Sequence, residues 1–178
     1  RFNLSNMKIV ILGAGRIGGS LARNLSNSNY EVCVVDKNKN RLSELEDRLD
    51  IMTVEGSASH LKTLKKSNLD KESIILAVTS NDEVNIVACQ IAKKFFHVKK
   101  TICRFKDNSY FENLDIFGEG VIDIPISPED EITTHLKELI DHPGANQIES
   151  FANGKVKLVS VKAKKKGRLV GRELKGIK

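Results

Sequence analysis

Residues 7–25 read MKIVILGAGRIGGSLARNL, a run of β-formers broken by glycines and resumed as a helical pattern. No other stretch of the chain limits its possible folds so sharply. Residues 7–12 form a short continuous apolar run, the pattern of a parallel strand buried on both faces. After the glycines, Ile17, Leu21 and Leu25 recur at i, i+4 and i+8, one stripe of a helix that stops in the polar cluster 26–29. Between strand and helix, Gly13-Ala14-Gly15-Arg16-Ile17-Gly18 fits G-x-G-x-x-G in the setting that makes the motif specific. The first glycine permits a tight turn, the second lets backbone approach a diphosphate, and the third allows close packing of helix on strand. Exposed amides and the positive end of the helix dipole then receive the anion.

The alternation continues down the chain. A second strand at 31–35 ends in Asp36, and a helix from about Asn38 places Leu42, Leu45 and Leu49 on one face. A strand at 51–54, a helical stretch around 61–64 and a strand at 73–78 (SIILAV) follow. The helix expected over 82–96 carries a buried stripe of Val84, Val87, Ala88, Ile91 and Phe95, and further strands are expected at 101–104 and 120–124. Strands and helices at this spacing imply right-handed crossovers and an α/β, doubly wound parallel sheet of order 3-2-1-4-5-6, a Rossmann-like fold. Ligands of that architecture sit over the carboxyl ends of the strands, which singles out Gly13, Asp36, Ser57, Thr79 and Arg104. Beyond them, Ser127 and the acids at 129–131 begin a helix whose Ile132, Leu136, Leu139 and Ile140 share a face, stopped by His142-Pro143-Gly144. Residues 7–142 are therefore expected as one domain with this helix appended, and 143–178 as the truncated start of a second, with an edge strand at 155–161 and an exposed turn at 164–167.

Asp36 follows Gly18 by 18 residues, where a carboxylate can accept both ribose hydroxyls of an adenosine and repel a 2′-phosphate, favouring NAD over NADP. Its competing role is a plain helix cap ahead of Asn38. Lys37, beside it, counts among the cofactor-facing candidates; Lys37 and Arg41 could attract a 2′-phosphate, although on a charge-rich helix such residues often form a solvated face. Thr79, Ser80, Asn81 and Asp82 cap the fourth helix, and their hydroxyls also face the groove. Hydride transfer needs a substrate-side acid or base, and no good candidate is found: neither Tyr30 nor Tyr110 has a Lys four positions on. A binding role without catalysis is thus favoured over a dehydrogenase fragment lacking its substrate domain. Cys33, Cys89 and Cys103 lie apart in apolar runs and read as buried hydrophobes, not metal ligands.

Composition narrows the partners. Aromatic content is 5%, and the net charge of +6 is concentrated at 155–178, which holds ten Lys/Arg against one acid, so the main domain is mildly acidic. A nucleic-acid reader would show its basic footprint on the folded unit, so no nucleic acid is expected as a partner. No stretch approaches the length of a membrane span and the first residues lack a signal-peptide pattern, so a cytoplasmic location is expected.

Several stretches together resemble the RCK (regulator of K⁺ conductance) family: KIVILGAGRIGGSLARNL with VVDKNKNRLSEL, GSAS at 56–59, AVTSNDEVNIVACQIAK at 77–93, TICRFKD at 101–107, GVIDIPISPEDEIT at 120–133 and LVGRELK at 169–175. The resemblance implies NAD⁺, NADH or, alternatively, ATP or ADP as ligand. It further implies contacts from Gly13, Ala14, Gly15, Arg16 and Ile17, ribose binding by Asp36, and contacts from Ser57, Thr79, Ser80 and Arg104. Ser57 departs from the family, which often has Asp or Asn there. The implied role is regulatory: a homo-oligomer, a ring built of dimers, lying against the inner face of the membrane and gating an integral membrane potassium transporter subunit. In that picture the helix from Glu131 to His142 exchanges between two protomers. Arg104 has its own rationale, since a guanidinium at the end of strand five can reach phosphates bidentately, with an ion pair to Asp82 or Glu83 as the alternative.

Overall fold

β1 (Lys8–Leu12) is buried at all five positions, the condition for a strand with neighbours on both edges and helices on both faces. The computed structural model is described over residues 7–28, 30–142, 145–151, 156–163 and 170. It places β1 inside a six-stranded parallel sheet with β2 (Glu31–Asp36), β3 (Met52–Glu55), β4 (Ile74–Ala77), β5 (Lys100–Arg104) and β6 (Ile124–Ile126). The order is β3-β2-β1-β4-β5-β6, the doubly wound order expected from the sequence. Residues 9–12 pair with 32–35 on one side and 74–77 on the other. Leu12, Val35 and Ala77 therefore end level, and the loops that follow them open together where β1 and β4 diverge.

Alternate side chains feed two cores. Val10, Leu12, Cys33, Val35, Ile75 and Ala77 pack with Ile86, Ala88, Cys89 and Ala92 of α4 (Asp82–Phe96) and Leu64 of α3 (Leu61–Lys66). Ile9, Ile11, Val32, Val34 and Leu76 pack with Ala22 of α1 (Arg16–Ser26) and Leu42 and Leu45 of α2 (Lys39–Glu46). All three cysteines are buried, and burial pushes the Cys33 thiol up to about 12, so it behaves as a small apolar filler.

Two expectations need correction. The buried face of α4 is not the 84-87-88-91-95 stripe: Val87 and Phe95 are 39% and 51% exposed, while Asn85, Ala88, Cys89 and Ala92 are fully buried. Small side chains at 88, 89 and 92 let α4 approach the sheet closely, and this sets its rotation more strongly than the count of large apolar residues does. The sixth strand lies at Ile124–Ile126 and not at 120–124. Gly118 and Gly120 turn the chain at positive φ (100° and 68°), Val121 is buried, and Asp123 is hydrogen-bonded to Thr101, so pairing starts later. Pro125 is accommodated because β6 is an edge strand with one neighbour. The β5–β6 connection also forms α5 (Asn108–Glu112) and a 3-10 turn at Leu114–Phe117, elements not foreseen from the sequence. They bring Tyr110 and Phe117 onto the fully buried ring of Phe105.

The chain divides into two compact units, one through Pro128 and one from Glu129 onward. α6 (Pro128–Asp141) leads into the second, which contains the antiparallel pair β7 (Ala145–Phe151) and β8 (Val156–Val161). β8 matches the strand expected at 155–161; its partner β7 was not foreseen. The turn expected at 164–167 lies outside the described residues.

Candidate functional site

The glycine loop shows three separate constraints. Gly13 leaves β1 at φ +106°, donates its N–H to the Val35 carbonyl at 2.7 Å, and leaves no room for a Cβ, which would press on the Thr79 backbone at 3.1 Å. A Cβ on Gly18 would collide with the Gly13 carbonyl oxygen, so this glycine lets α1 sit against the loop. At Gly15 the situation is reversed: nothing stands within 4 Å of the place a Cβ would occupy. The loop thus turns bare backbone toward open space. α1 starts here with Gly15 as its N-cap, no side-chain cap and no acid in its first turn, whereas Asn38 caps α2 and Asn81 caps α4. First-turn amides are orphan donors, and an anion is the group that completes them.

Asp36 closes the loop from β2. One carboxylate oxygen accepts the Ala14 N–H at 2.6 Å and the other accepts the Asn38 N–H at 2.8 Å. The plain capping role weighed for Asp36 belongs instead to Asn38, whose side chain accepts from Asn40 and Arg41. Each Asp36 oxygen keeps acceptor capacity for a further donor. The Asp36 carbonyl accepts the Gly56 N–H at 2.9 Å, which carries the chain into Ser57, whose hydroxyl shares a hydrogen bond with Ser59 at 3.1 Å.

Across the switch point, Thr79 and Ser80 follow β4 and Arg104 ends β5. Arg104 is only 8% exposed and donates from Nη1 to the Thr79 carbonyl at 3.3 Å. Asp82, also buried, accepts the N–H groups of Lys106 and Asp107 at 2.9 Å and so ties the start of α4 to the loop after β5. Fully buried Asn85 spans both strand ends: Oδ1 accepts from the Thr79 N–H and hydroxyl, and Nδ2 donates to the Arg104 carbonyl at 3.0 Å.

These elements enclose a cleft of roughly 530 Å³. Gly13, Gly15, Arg16 and Ile17 line it from the loop, Asp36 and Lys37 from the end of β2, and Ser57, Thr79, Ser80 and Arg104 from the remaining strand ends. Ala14 and Gly18 are not brought to its wall: Ala14 borders a smaller hollow beside it, of roughly 270 Å³, and Gly18 is buried beneath the loop. Arg41, weighed from the sequence as a solvated residue, does reach the cleft, as does Lys106, which was not anticipated. Among the described residues, Arg16, Lys37, Arg41, Arg104 and Lys106 line the cleft against the lone carboxylate of Asp36, a balance suited to an anionic ligand with a hydroxyl-bearing end. Asn85 is a further residue of the site: an amide on the packed face of a helix must find hydrogen-bond partners, and that is the signal in the sequence that points to it. Among the described residues no group of three or more His, Cys, Asp or Glu could hold a metal ion, and no helix is long and apolar enough to cross a membrane.

Comparison with known proteins agrees with this fold. The chain is 45% identical over 170 residues to the Trk system potassium uptake protein TrkA of Halomonas elongata, covering 94% of this chain and 37% of that one. It is 41% identical over 175 residues to the protein of the same name from Vibrio alginolyticus, covering 97% and 38%. The chain therefore spans less than two-fifths of the length of these relatives. In fold it is similar to the TrkA-N domain of the inner membrane protein ybaL from Escherichia coli, at a TM-score of 0.65 and 19% identity over 75% of this chain and 96% of that one. The GsuK channel bound to NAD matches at a TM-score of 0.61 and 22% identity, covering 75% and 23%. The TrkA-N domain model matches residues 9–128, from β1 to the first residue of α6, and the chain belongs to that family.

Proposed function

We propose that this chain is the nucleotide-sensing part of a regulatory subunit of a potassium transport system. It takes NAD⁺ or NADH, with ADP or ATP as alternative occupants, in the cleft between the glycine loop and Arg104. The observation that carries this reading is the convergence of ten sequence-chosen residues on one cation-rich cleft of roughly 530 Å³ above the switch point. The names of the relatives support the transport role, and the NAD and ADP carried by similarly folded GsuK structures support the ligand class. The diphosphate lies against the amides of Gly15 to Ile17, and the adenosine ribose reaches Asp36. Residues 7–142 form the sensing domain with α6 as a crossover helix, and residues from 143 begin a second subdomain. The subunit works as a homo-oligomer on the cytoplasmic side of the membrane, bound to an integral membrane potassium transporter. No bond of the nucleotide is made or broken: its differential affinity for two arrangements of the assembly biases the pore. Calorimetric titration with NAD⁺, NADH, ADP and ATP tests the reading. Saturable binding of at least one of them, with no turnover of NADH against a panel of carbonyl substrates, is expected. Absence of binding, or steady oxidation of NADH, defeats it.

A further inference from the structure

Resting on that reading, we infer that Asn85, which does not line the cleft, is a positioning residue that decides how the β4–β5 side of the cleft meets its ligand. Its amide is fully buried, and its hydrogen-bonding capacity is fully spent. Oδ1 accepts the Thr79 N–H at 3.0 Å and the Thr79 hydroxyl at 2.7 Å; Nδ2 donates to the Thr79 carbonyl at 3.3 Å and to the Arg104 carbonyl at 3.0 Å. Two acceptor sites and two donors are all an Asn side chain has. The orientation of the amide is dictated by its partners, because a backbone N–H on one side requires oxygen and a carbonyl on the other requires nitrogen.

Two consequences follow for the cleft. First, one side chain binds the exits of β4 and β5 together, and Arg104 Nη1 donates to the same Thr79 carbonyl that Asn85 serves. Thr79 and Arg104 therefore face the ligand as one rigid unit. Second, the single hydroxyl hydrogen of Thr79 is already committed: it points at Asn85 Oδ1 or at the Asn81 carbonyl 3.1 Å away, while the oxygen accepts the Asn81 N–H at 3.2 Å. Toward the cleft Thr79 can only accept. It is matched to a hydroxyl or amide donor on the ligand and not to a phosphate oxygen, which is left to Arg104 and the glycine loop. Asp36 ends β2, and the Arg104 guanidinium reaches back from β5 to the Thr79 carbonyl at the exit of β4, two strand spacings from β2, on the order of 10 Å. A ligand that engages both must bridge the switch point, as two nucleotides joined by a diphosphate do and AMP does not. Asn85 thus selects for the half of a dinucleotide that AMP lacks.

The test compares NADH with AMP on the full chain, wild type against Asn85→Asp, by calorimetry at pH 8 and pH 5.5. The introduced carboxyl is nearly the same shape and keeps the acceptor side, but when ionised it opposes the carbonyls of Thr79 and Arg104. Protonated, it can again donate to one of them. The expected result at pH 8 is a loss of NADH affinity of roughly tenfold or more, with AMP affinity held within about twofold and the NADH loss shrinking at pH 5.5. A merely structural defect weakens both ligands alike and shows no recovery on acidification; either outcome overturns the inference, as does unchanged NADH binding. Should the variant not fold, NMR of the unmutated protein labelled with ¹⁵N-asparagine decides. The Asn85 amide protons are expected to shift on adding NADH and to stay in place on adding AMP, and equal responses overturn the inference. Wild type that binds neither nucleotide defeats the proposed function itself, a result distinct from wild-type binding with an indifferent Asn85.

Discussion

Gly15 and Gly18 sit three residues apart in one loop and face opposite demands. Gly15 adopts φ −72° and ψ −166°, a conformation open to any residue, and a Cβ there would point into space. Gly15→Ala should therefore fold with an unchanged melting temperature yet bind NADH about tenfold or more weakly, because the methyl intrudes where a phosphate approaches the backbone. Gly18→Ala should instead lose stability outright, by about 1–3 kcal/mol or more, since the methyl collides with the Gly13 carbonyl and backbone must shift. Thermal melts and calorimetry on the two variants separate these outcomes, and equal destabilisation of both would refute the division of labour. Asp36→Ala removes a charged acceptor from the adenosine side and should weaken every adenine nucleotide by about 1–3 kcal/mol, while also releasing the Ala14 and Asn38 amides. The glycines and Asp36 were legible in the sequence because their jobs depend on backbone geometry and strand ends, which spacing encodes. Asn85 and Lys106 were not, because each matters through a partner on another element: Asn85 through the Arg104 carbonyl, Lys106 through the Asp82 carboxylate that holds its amide.

Among the elements, strand order was legible and the exact packing face was not. The order follows from an alternation of apolar runs and helical stripes that handedness rules convert into one topology. The rotation of α4 depends on how closely Ala88, Cys89 and Ala92 let it approach the sheet, which hydrophobicity alone does not report. The edge strand β6 was misplaced for a related reason: its start is set by a side chain, not by apolar content. Asp123 accepts the Thr101 N–H at 2.7 Å and pairs with Lys93 at 2.7 Å, and Thr101 is fully buried. Burial pushes the Asp123 carboxyl up, but the hydrogen bonds and charge of Lys93, together with the bonds from Thr101, outweigh it and hold the group below the usual carboxylate range. A carboxyl whose folded value is depressed contributes stability that is complete above its unfolded value, near pH 4, and is lost as pH falls through the lower folded value. Denaturant melts should accordingly show wild type losing an increment of stability below about pH 4 that Asp123→Asn has already lost at pH 7, roughly 1 kcal/mol, because the Asn oxygen can still accept from Thr101 but the charge that pairs with Lys93 is gone. Parallel pH profiles for the two proteins would show that Asp123 does not anchor β6.

For the molecule as a whole, the two units differ in how well they cover their apolar surface. The sheet unit buries two cores, one on each face, and its exposed large apolar side chains, among them Met52, Val87, Phe95 and Ile116, are spread over different elements. The second unit is different. α6 carries Ile132, Leu136 and Ile140 at 61%, 54% and 75% exposure along one stripe, and β8 exposes Val156, Leu158 and Val161 as well. A helix stripe spaced at i, i+4 and i+8 is a packing face, and a two-stranded ribbon with a helix is marginal without more apolar cover. In the homo-oligomer proposed above, that cover would come from setting α6 against a second copy. Because these side chains are exposed in the isolated chain, replacing them should barely affect its folding, within about 0.5 kcal/mol each. Ile132→Gln, Leu136→Gln and Ile140→Gln combined should therefore lower the molar mass seen by sedimentation equilibrium toward that of one chain. Thermal stability at low protein concentration and NADH binding to the cleft should persist. A mass that does not change, or that was already that of a single chain in the wild type across the micromolar range, removes α6 as the assembly face and leaves its stripe without a partner of this kind.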